Sequence, residues 1–303
     1  FKTNFSAVMC EFDFKNKLVD NFKKKNLVII RYPSTPKIVY EKVKKKTISK
    51  IQKEYCDLLL LSSKYDKKFW EQKFSAKKTA IIGFPKFEES WIHKIQSFNK
   101  KNKFTKFNKK EVEILFAYSS RFEIFKNDKL YEEQHLREII DTLISINHKK
   151  VRLNIKMHPR KISNDVEEIV SSYKNKNINL SSNHLYNEGK NCDFFIAEPR
   201  SASILDGLVL KKPVVEIWDS KNQLLYEKER DNVYHLLRLS KKVKNKKDLY
   251  KILNGLIKNR NLLDYQLKNF KKICGKQKNS SKLASELIDK IIGKNCEKYF
   301  KIN

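Results

Sequence analysis

The chain is a succession of short apolar runs that do not alternate with polar residues. In its first third they are "SAVMCEF" (6–12), "NLVIIRY" (26–32), "CDLLLLSS" (56–63) and "TAIIGFP" (79–85). Runs this short and this uniformly apolar suit strands buried on both faces, as in a parallel sheet. Charged amphipathic stretches separate them. One over 38–55 is rich in lysine; another is "KYDKKFWEQKF" (64–74), and both read as helices. Strand followed by helix followed by strand predicts an α/β protein.

The pattern breaks at "NKKNKFTKFNKKE" (99–111), which is charged, lacks periodicity and reads as a linker. It then resumes with the strands "EVEILFAYSS" (111–120), "VRLNIKMHP" (151–159), "INLSS" (178–182), "CDFFIAEP" (192–199) and "KPVVEIW" (212–218). Between them, 129–147 carries Leu130, Leu136, Ile139, Ile140, Leu143 and Ile144 at helical spacing. The stretch 164–173 is a helix with Ser163 as N-cap, and "SASILDGLVL" (201–210) is another. From Lys246 onward the tail is helical. The expected organisation is a Rossmann-like domain over 1–105, a second Rossmann-like domain over 106–260 and C-terminal helices over 261–303. The first domain shows only four strands and the chain begins at Phe1, so that domain is expected to be incomplete at its N-terminus.

Composition narrows the classes. A hydrophobic fraction of 40% in 303 residues is enough to bury a core in each of two domains. No apolar window is long enough to cross a membrane, and no secretory leader is visible. Five cysteines lie far apart, without CxxC or Cys/His spacing, so a zinc site is not expected and a reducing cytoplasm is. The net charge of +31 points to anionic partners. Yet the lysines are dispersed, and Lys, Asn, Ile and Phe are abundant together, which is also the signature of AT-rich codons. A nucleic-acid binder would instead cluster its cations with interleaved aromatics. Peripheral contact with an anionic membrane surface, at its inner face, remains compatible with the charge.

Ligands of open parallel sheets bind beyond the carboxyl ends of the strands. In the first unit those positions hold Glu11, Asp13, Tyr32, Ser34, Thr35, Ser62 and Ser63. In the second they hold Ser119, Ser120, Arg121, His158, Arg160, Glu198, Arg200, Ser201, Ser203 and Asp219. This second set is cationic, hydroxylic or polar at nearly every strand end, which packing alone does not require. In "EPRSASILDG" (198–207), small serines open a helix whose first-turn N–H groups and dipole favour a phosphate, and Arg200 can add a bidentate contact. Asp206 follows one turn later. The competing reading of Ser201 is a plain helix cap. GxGxxG, Walker A, HExxH and GxSxG are all absent, so dehydrogenase, P-loop kinase, zinc protease and α/β-hydrolase readings lack support.

The segments "ILFAYSSR" (114–121), "IKMHPR" (155–160) and "CDFFIAEPRSASILDGLVLKKPVVEI" (192–217), preceded by "CDLLLLSSKYDKKFW" and "IIGFPKFE", resemble a known group in order and spacing. The second unit is similar to the C-terminal half of a GT-B glycosyltransferase. It is closest to the CDP-glycerol glycerophosphotransferase and capsular-polysaccharide transferase group. The resemblance implies two Rossmann-like domains facing a cleft and a nucleotide-diphosphate donor, with a polysaccharide or lipid-linked acceptor. It places His158, Arg121, Ser201 and Ser203 on the donor's phosphates; the strand-end reading adds Ser119, Ser120, Arg160, Glu198, Arg200 and Asp206 as donor-side candidates, and Tyr32, Ser34 and Thr35 as acceptor-side candidates. The function implied is transfer of a sugar or glycerol phosphate in surface-polysaccharide assembly, without a cofactor or metal. The group's acceptor-side histidine is missing from "YPSTPK", which leaves Glu11 or Asp13 as the candidate base beside His158. His93, His135, His148, His184 and His235 read as solvated or capping residues, although His235 also stands where the group recognises the donor. The alternatives are a nucleotide-sugar 2-epimerase-like enzyme, a basic nucleic-acid-binding protein and a catalytically silent relative.

Overall fold

The uniformly apolar runs become parallel strands. The computed structural model describes residues 6–10, 16–33, 53–98, 111–118, 129–145, 150–158, 164–175, 177–218, 234–258, 261–275 and 279–300. The chain divides into two compact units, one of residues 1–91 with 271–303, the other of 92–270.

The first unit is a sheet of β1 (Ala7–Cys10), β2 (Val28–Arg31), β3 (Glu54–Leu61) and β4 (Phe74–Ile81), paired in that order and all parallel. One face packs on α1 (Asn16–Lys24) and α2 (Lys64–Lys73) through Val19, Trp70, Ile29, Leu59 and Leu61. The other packs on the last helix, α10 (Ser280–Phe300), through Ala284, Leu287, Ile288, Ile291 and Ile292, whose spacing makes one helical stripe. Glu88 fixes the start of that helix: its carboxylate accepts the Ser281 N–H at 2.6 Å and hydroxyl at 3.0 Å.

Two expectations shift here. β4 begins at Phe74, well before Thr79, because Phe74 turns extended at the end of α2 and stacks on Trp70 at 5.8 Å. β4 is an edge strand, so exposed Lys77 and Lys78 interrupt the apolar pattern and protect the edge. Ser63 is committed to structure. Its hydroxyl accepts the Tyr65 N–H at 3.2 Å while Asp66 accepts the Ser63 N–H at 3.0 Å, a capping box for α2.

The second unit holds β5 (Glu111–Tyr118), β6 (Lys150–Met157), β7 (Ile178–Ser181), β8 (Phe194–Ala197), β9 (Val214–Ile217) and β10 (Lys241–Val243). Their order across the sheet is β10-β9-β8-β5-β6-β7, all parallel. Counted from β5, this is the 3-2-1-4-5-6 order of nucleotide-binding sheets, with its switch point between β5 and β8. The basic three-residue β10 is too short to announce itself in the sequence. One face carries α4 (Lys129–Ile144), α5 (Asn164–Ser172) and α8 (Lys246–Lys258), with Leu136, Ile140, Val166, Ile169, Leu249 and Leu253 in the core. Leu130, read as part of the apolar stripe of α4, is 64% exposed. The opposite face carries α6 (Leu185–Gly189) and α7 (Ser203–Val209), whose Gly189 and Gly207 lie against Leu115 and Phe195. The unit boundaries fall inside α3 (Glu89–Phe98) and α9 (Asn261–Cys274).

The repeated Cys-Asp pair has a structural explanation. Asp57 Oδ2 accepts the Ile29 N–H at 2.9 Å, and Asp193 Oδ2 accepts the Glu113 N–H at 2.9 Å. In each unit the aspartate stitches its segment to the neighbouring strand where the ladder begins.

Gly207 sets the height of α7 above the sheet. A Cβ there would stand 2.8 Å from the Phe195 ring and 2.9 Å from Val214 Cγ2. Neither neighbour can swing away, so Gly207→Ala is expected to cost about 1–3 kcal/mol by overpacking. Urea unfolding measures this; a variant as stable as the wild type would show that α7 lifts freely.

Candidate functional site

The site is built at the carboxyl edge of the second sheet, on the α6/α7 face. Strand register places one row across that edge: Ser181 beside Lys156, Lys156 beside Ala117, Ala117 beside Ala197, and Ala197 beside Glu216. Neighbours in a parallel row point to the same face. Two alanines therefore floor the switch point, flanked by a lysine and a glutamate.

The loop from β8 to α7 rises over this floor. Glu198 is buried and Arg200 half-buried, the latter in the left-handed region at φ 63°. A non-glycine residue is costly there and must be held in place. Glu216 holds it. Fully buried, its carboxylate accepts the Arg200 N–H at 2.8 Å and the Ser240 hydroxyl at 2.6 Å, with His235 Nδ1 at 3.4 Å. The Ser201 and Ser203 hydroxyls bond each other at 2.7 Å. The N-cap of α7 is Ala202, so Ser201 is not its cap.

The expectation of free N–H groups at this turn needs correction. Ser201 N–H donates to Glu198 O, Ser203 N–H to Ser201 Oγ, Ile204 N–H to Ser201 O and Leu205 N–H to Ala202 O. With α7 only seven residues long, anion attraction at this loop falls to side chains rather than to a helix end.

Asp206, in the first turn of α7, accepts the Tyr186 hydroxyl at 2.8 Å. Burial, then the Asp206 charge, pushes the Tyr186 phenol far above its ordinary range, so it stays a donor. His184 caps α6, its Nδ1 accepting the Tyr186 N–H at 3.3 Å. Burial lowers its pKa, the Asp206 carboxylate opposes this, and Lys156 adds to it. Lys156 is itself lowered by burial, with Glu188 opposing.

His158 follows β6 directly; its N–H donates to Tyr118 O at 3.0 Å and its side chain is exposed. β6 lies two strands from β8, about 10 Å at the usual ~4.8 Å strand spacing. The structure thus places Glu198, Arg200, Ser201, Ser203 and Asp206 on one loop and helix, and His158 on the same sheet edge. Tyr32 follows β2 in the first unit, its N–H donating to Cys10 O at 3.0 Å and its ring packing on the core. Glu11, Asp13, Ser34, Thr35, Ser119, Ser120, Arg121 and Arg160 lie outside the described residues. Among the described residues no group of three His, Cys, Asp or Glu is arranged to hold a metal ion, and no helix is long and apolar enough to cross a membrane.

No protein-family model and no curated protein matches the chain in sequence. Solved structures do match. The wall teichoic acid polymerase TagF, as its H444N variant soaked with CDPG, superposes with a TM-score of 0.60 at 16% identity, over 96% of this chain and 73% of that one. A UDP-N-acetylglucosamine 2-epimerase described as putative, from Listeria monocytogenes, gives 0.55 at 11% identity, over 89% and 70%. The Methanocaldococcus jannaschii UDP-GlcNAc 2-epimerase, in complex with UDP-GlcNAc and UDP, gives 0.51 at 16% identity, over 77% and 61%. The chain has the GT-B fold. Each of its two GT-B sheets is parallel throughout, with four and six strands.

Four residues at this sheet edge escaped the sequence reading: Lys156, His184, Tyr186 and Glu216. Glu216 did leave a signal, an acid inside the apolar run "PVVEIW". The other three are visible only through the register and through α6.

Proposed function

We propose that this chain is a transferase that draws on a nucleotide-activated donor, a sugar or glycerol phosphate, in surface or capsular polysaccharide biosynthesis. One observation carries the reading. At the switch point of a 3-2-1-4-5-6 sheet, a buried glutamate holds a strained Arg-Ser-Ala-Ser loop over a floor of two alanines. Hydroxyls and cations converge where such sheets take nucleotides. TagF, of the same fold, was soaked with CDPG, and one epimerase was solved with UDP-GlcNAc and UDP. The second unit would bind the donor and the first the acceptor. In the displacement, His158, Arg200 and the Ser201 and Ser203 hydroxyls stabilise the leaving nucleotide as its charge develops, a nucleoside diphosphate when a sugar is transferred and a nucleoside monophosphate when glycerol phosphate is. Glu11 or Asp13 is the candidate base that takes the acceptor's proton. The +31 charge suits a protein working at the inner, anionic face of a membrane on a lipid-linked acceptor.

A thermal-shift screen with CDP, UDP, CMP and GDP tests this reading. Wild type is expected to be stabilised by CDP or UDP more than by CMP, and His158→Ala to lose most of the shift. No response to any nucleotide would sink the donor reading. Release of free nucleotide from UDP-GlcNAc without an acceptor would favour the 2-epimerase-like alternative. Stabilisation by DNA alone, lost steeply with salt, would favour nucleic-acid binding.

A further inference from the structure

Lys156 occupies a position that packing does not explain. It sits on the edge row beside Ala117, one strand from the switch point, on the face that carries α6 and α7. Its stem is half-buried, and its ammonium donates to the neighbouring Met157 O at 3.0 Å. An ammonium has three donors. No carboxylate among the described residues lies within ion-pair distance of it. Glu188, the nearest acid by its electrostatic influence, instead accepts Asn183 Nδ2 at 2.6 Å. A desolvated cation without a counter-ion is unfavourable, and its pKa is held below the ordinary lysine range by that burial. The groups around it point the same way. His184 feels the Lys156 charge, and the register sets Lys156, Ala117 and Ala197 side by side in one row, with Ser201 and Ser203 on the loop that follows Ala197.

We propose, resting on the donor-site reading above, that Lys156 is a ligand-contacting cation of that site, its ammonium taking an anionic oxygen of the donor's diphosphate across the alanine floor. The two strand steps from β6 to β8, about 10 Å, are the span a diphosphate bridges between a lysine on one side and a hydroxyl pair on the other. The anion supplies the counter-charge that no described carboxylate gives Lys156 at ion-pair distance, and raises the proton affinity of both Lys156 and His184. Lys156 then discriminates a diphosphate from a monophosphate, because a single phosphate on the serine loop leaves it unmatched.

Calorimetric titration of CDP, CMP and inorganic pyrophosphate into the full chain tests this. Lys156→Met keeps the stem, and the free variant is expected to melt no lower than wild type. CDP and pyrophosphate should bind it about 10- to 100-fold more weakly, the range for a lost charged hydrogen bond, with CMP little changed and Lys156→Arg regaining most of the loss. If Lys156→Met binds CDP like wild type while Arg200→Ala does not, Lys156 lies outside the site and the donor reading stands. If Lys156→Met and Lys156→Arg lose binding equally and both melt lower, the residue is structural and the proposal fails. If wild type binds none of the probes, both readings fall together.

Discussion

Glu216→Ala is expected to cost about 2–4 kcal/mol of stability and to remove the nucleotide response altogether, because a half-buried and a buried donor lose their acceptor at once. Those donors are the Arg200 N–H and the Ser240 hydroxyl, and the carboxylate that serves them is fully buried. Relief of burying a charge offsets part of the loss, which is why the expected cost stays below the sum of two orphaned groups. The larger consequence is conformational. Arg200 adopts φ 63°, and nothing in an arginine favours that region over the ordinary one. Once the anchor is gone the loop relaxes, Ser201 and Ser203 move with it, and the diphosphate loses its far side. Glu216→Gln separates the two effects. Its amide oxygen still accepts the Arg200 N–H, and Ser240 can turn to accept from the amide nitrogen. That variant should keep most of its stability and bind CDP. Urea unfolding and thermal shift with CDP read both quantities. Wild-type CDP binding by Glu216→Ala would show that the strained loop is not part of the site.

Much of the fold was legible because the strands are uniformly apolar and the helices are long. The reading failed where an element was short or its pattern was broken by exposure. β10 is a basic tripeptide at an edge, α6 is a single turn and a half, and β4 is interrupted by Lys77 and Lys78. The candidate site divides in the same way. His158, Arg200, Ser201 and Ser203 stand at strand ends, where polarity after an apolar run is visible in one dimension. Lys156 was hidden because a polar residue one place before Met157 looks like ordinary alternation. The row Lys156, Ala117, Ala197, Glu216 joins positions far apart in the chain, so it exists only after the register is fixed. Likewise the helix-start argument drawn from "RSAS" is weakened, since the N–H groups of Ser201, Ser203, Ile204 and Leu205 bond within the turn.

Below the same face lies a carboxylate whose cost depends on pH, and replacing it gives the second large expected effect. Glu113 in β5 is 1% exposed. One carboxyl oxygen accepts Asn154 Nδ2 at 3.1 Å, and the other is buried without a hydrogen-bond partner among the described residues. Burial pushes its pKa from 4.5 up to about 7; Glu188 on α6 and Asp193 before β8 push the same way, against Arg152 on β6 and Lys212 before β9. A carboxyl raised on folding binds its proton more tightly in the native state. Its contribution is therefore fully present below pH 4.5 and is lost as pH rises through about 7. At about 1.4 kcal/mol per pH unit, the loss over that window is about 3 kcal/mol. Glu113→Gln keeps an oxygen for Asn154 and carries no charge. It should match wild type at pH 4.5 and exceed it by about 3 kcal/mol at pH 8, where the deprotonated carboxylate is most costly. Subtracting the two unfolding curves cancels Asp57, whose lowered pKa acts in the opposite sense, and Asp66, raised to about 6. Chemical denaturation between pH 4.5 and 8.5 measures the difference, and curves that run parallel across the window would contradict a proton held on Glu113.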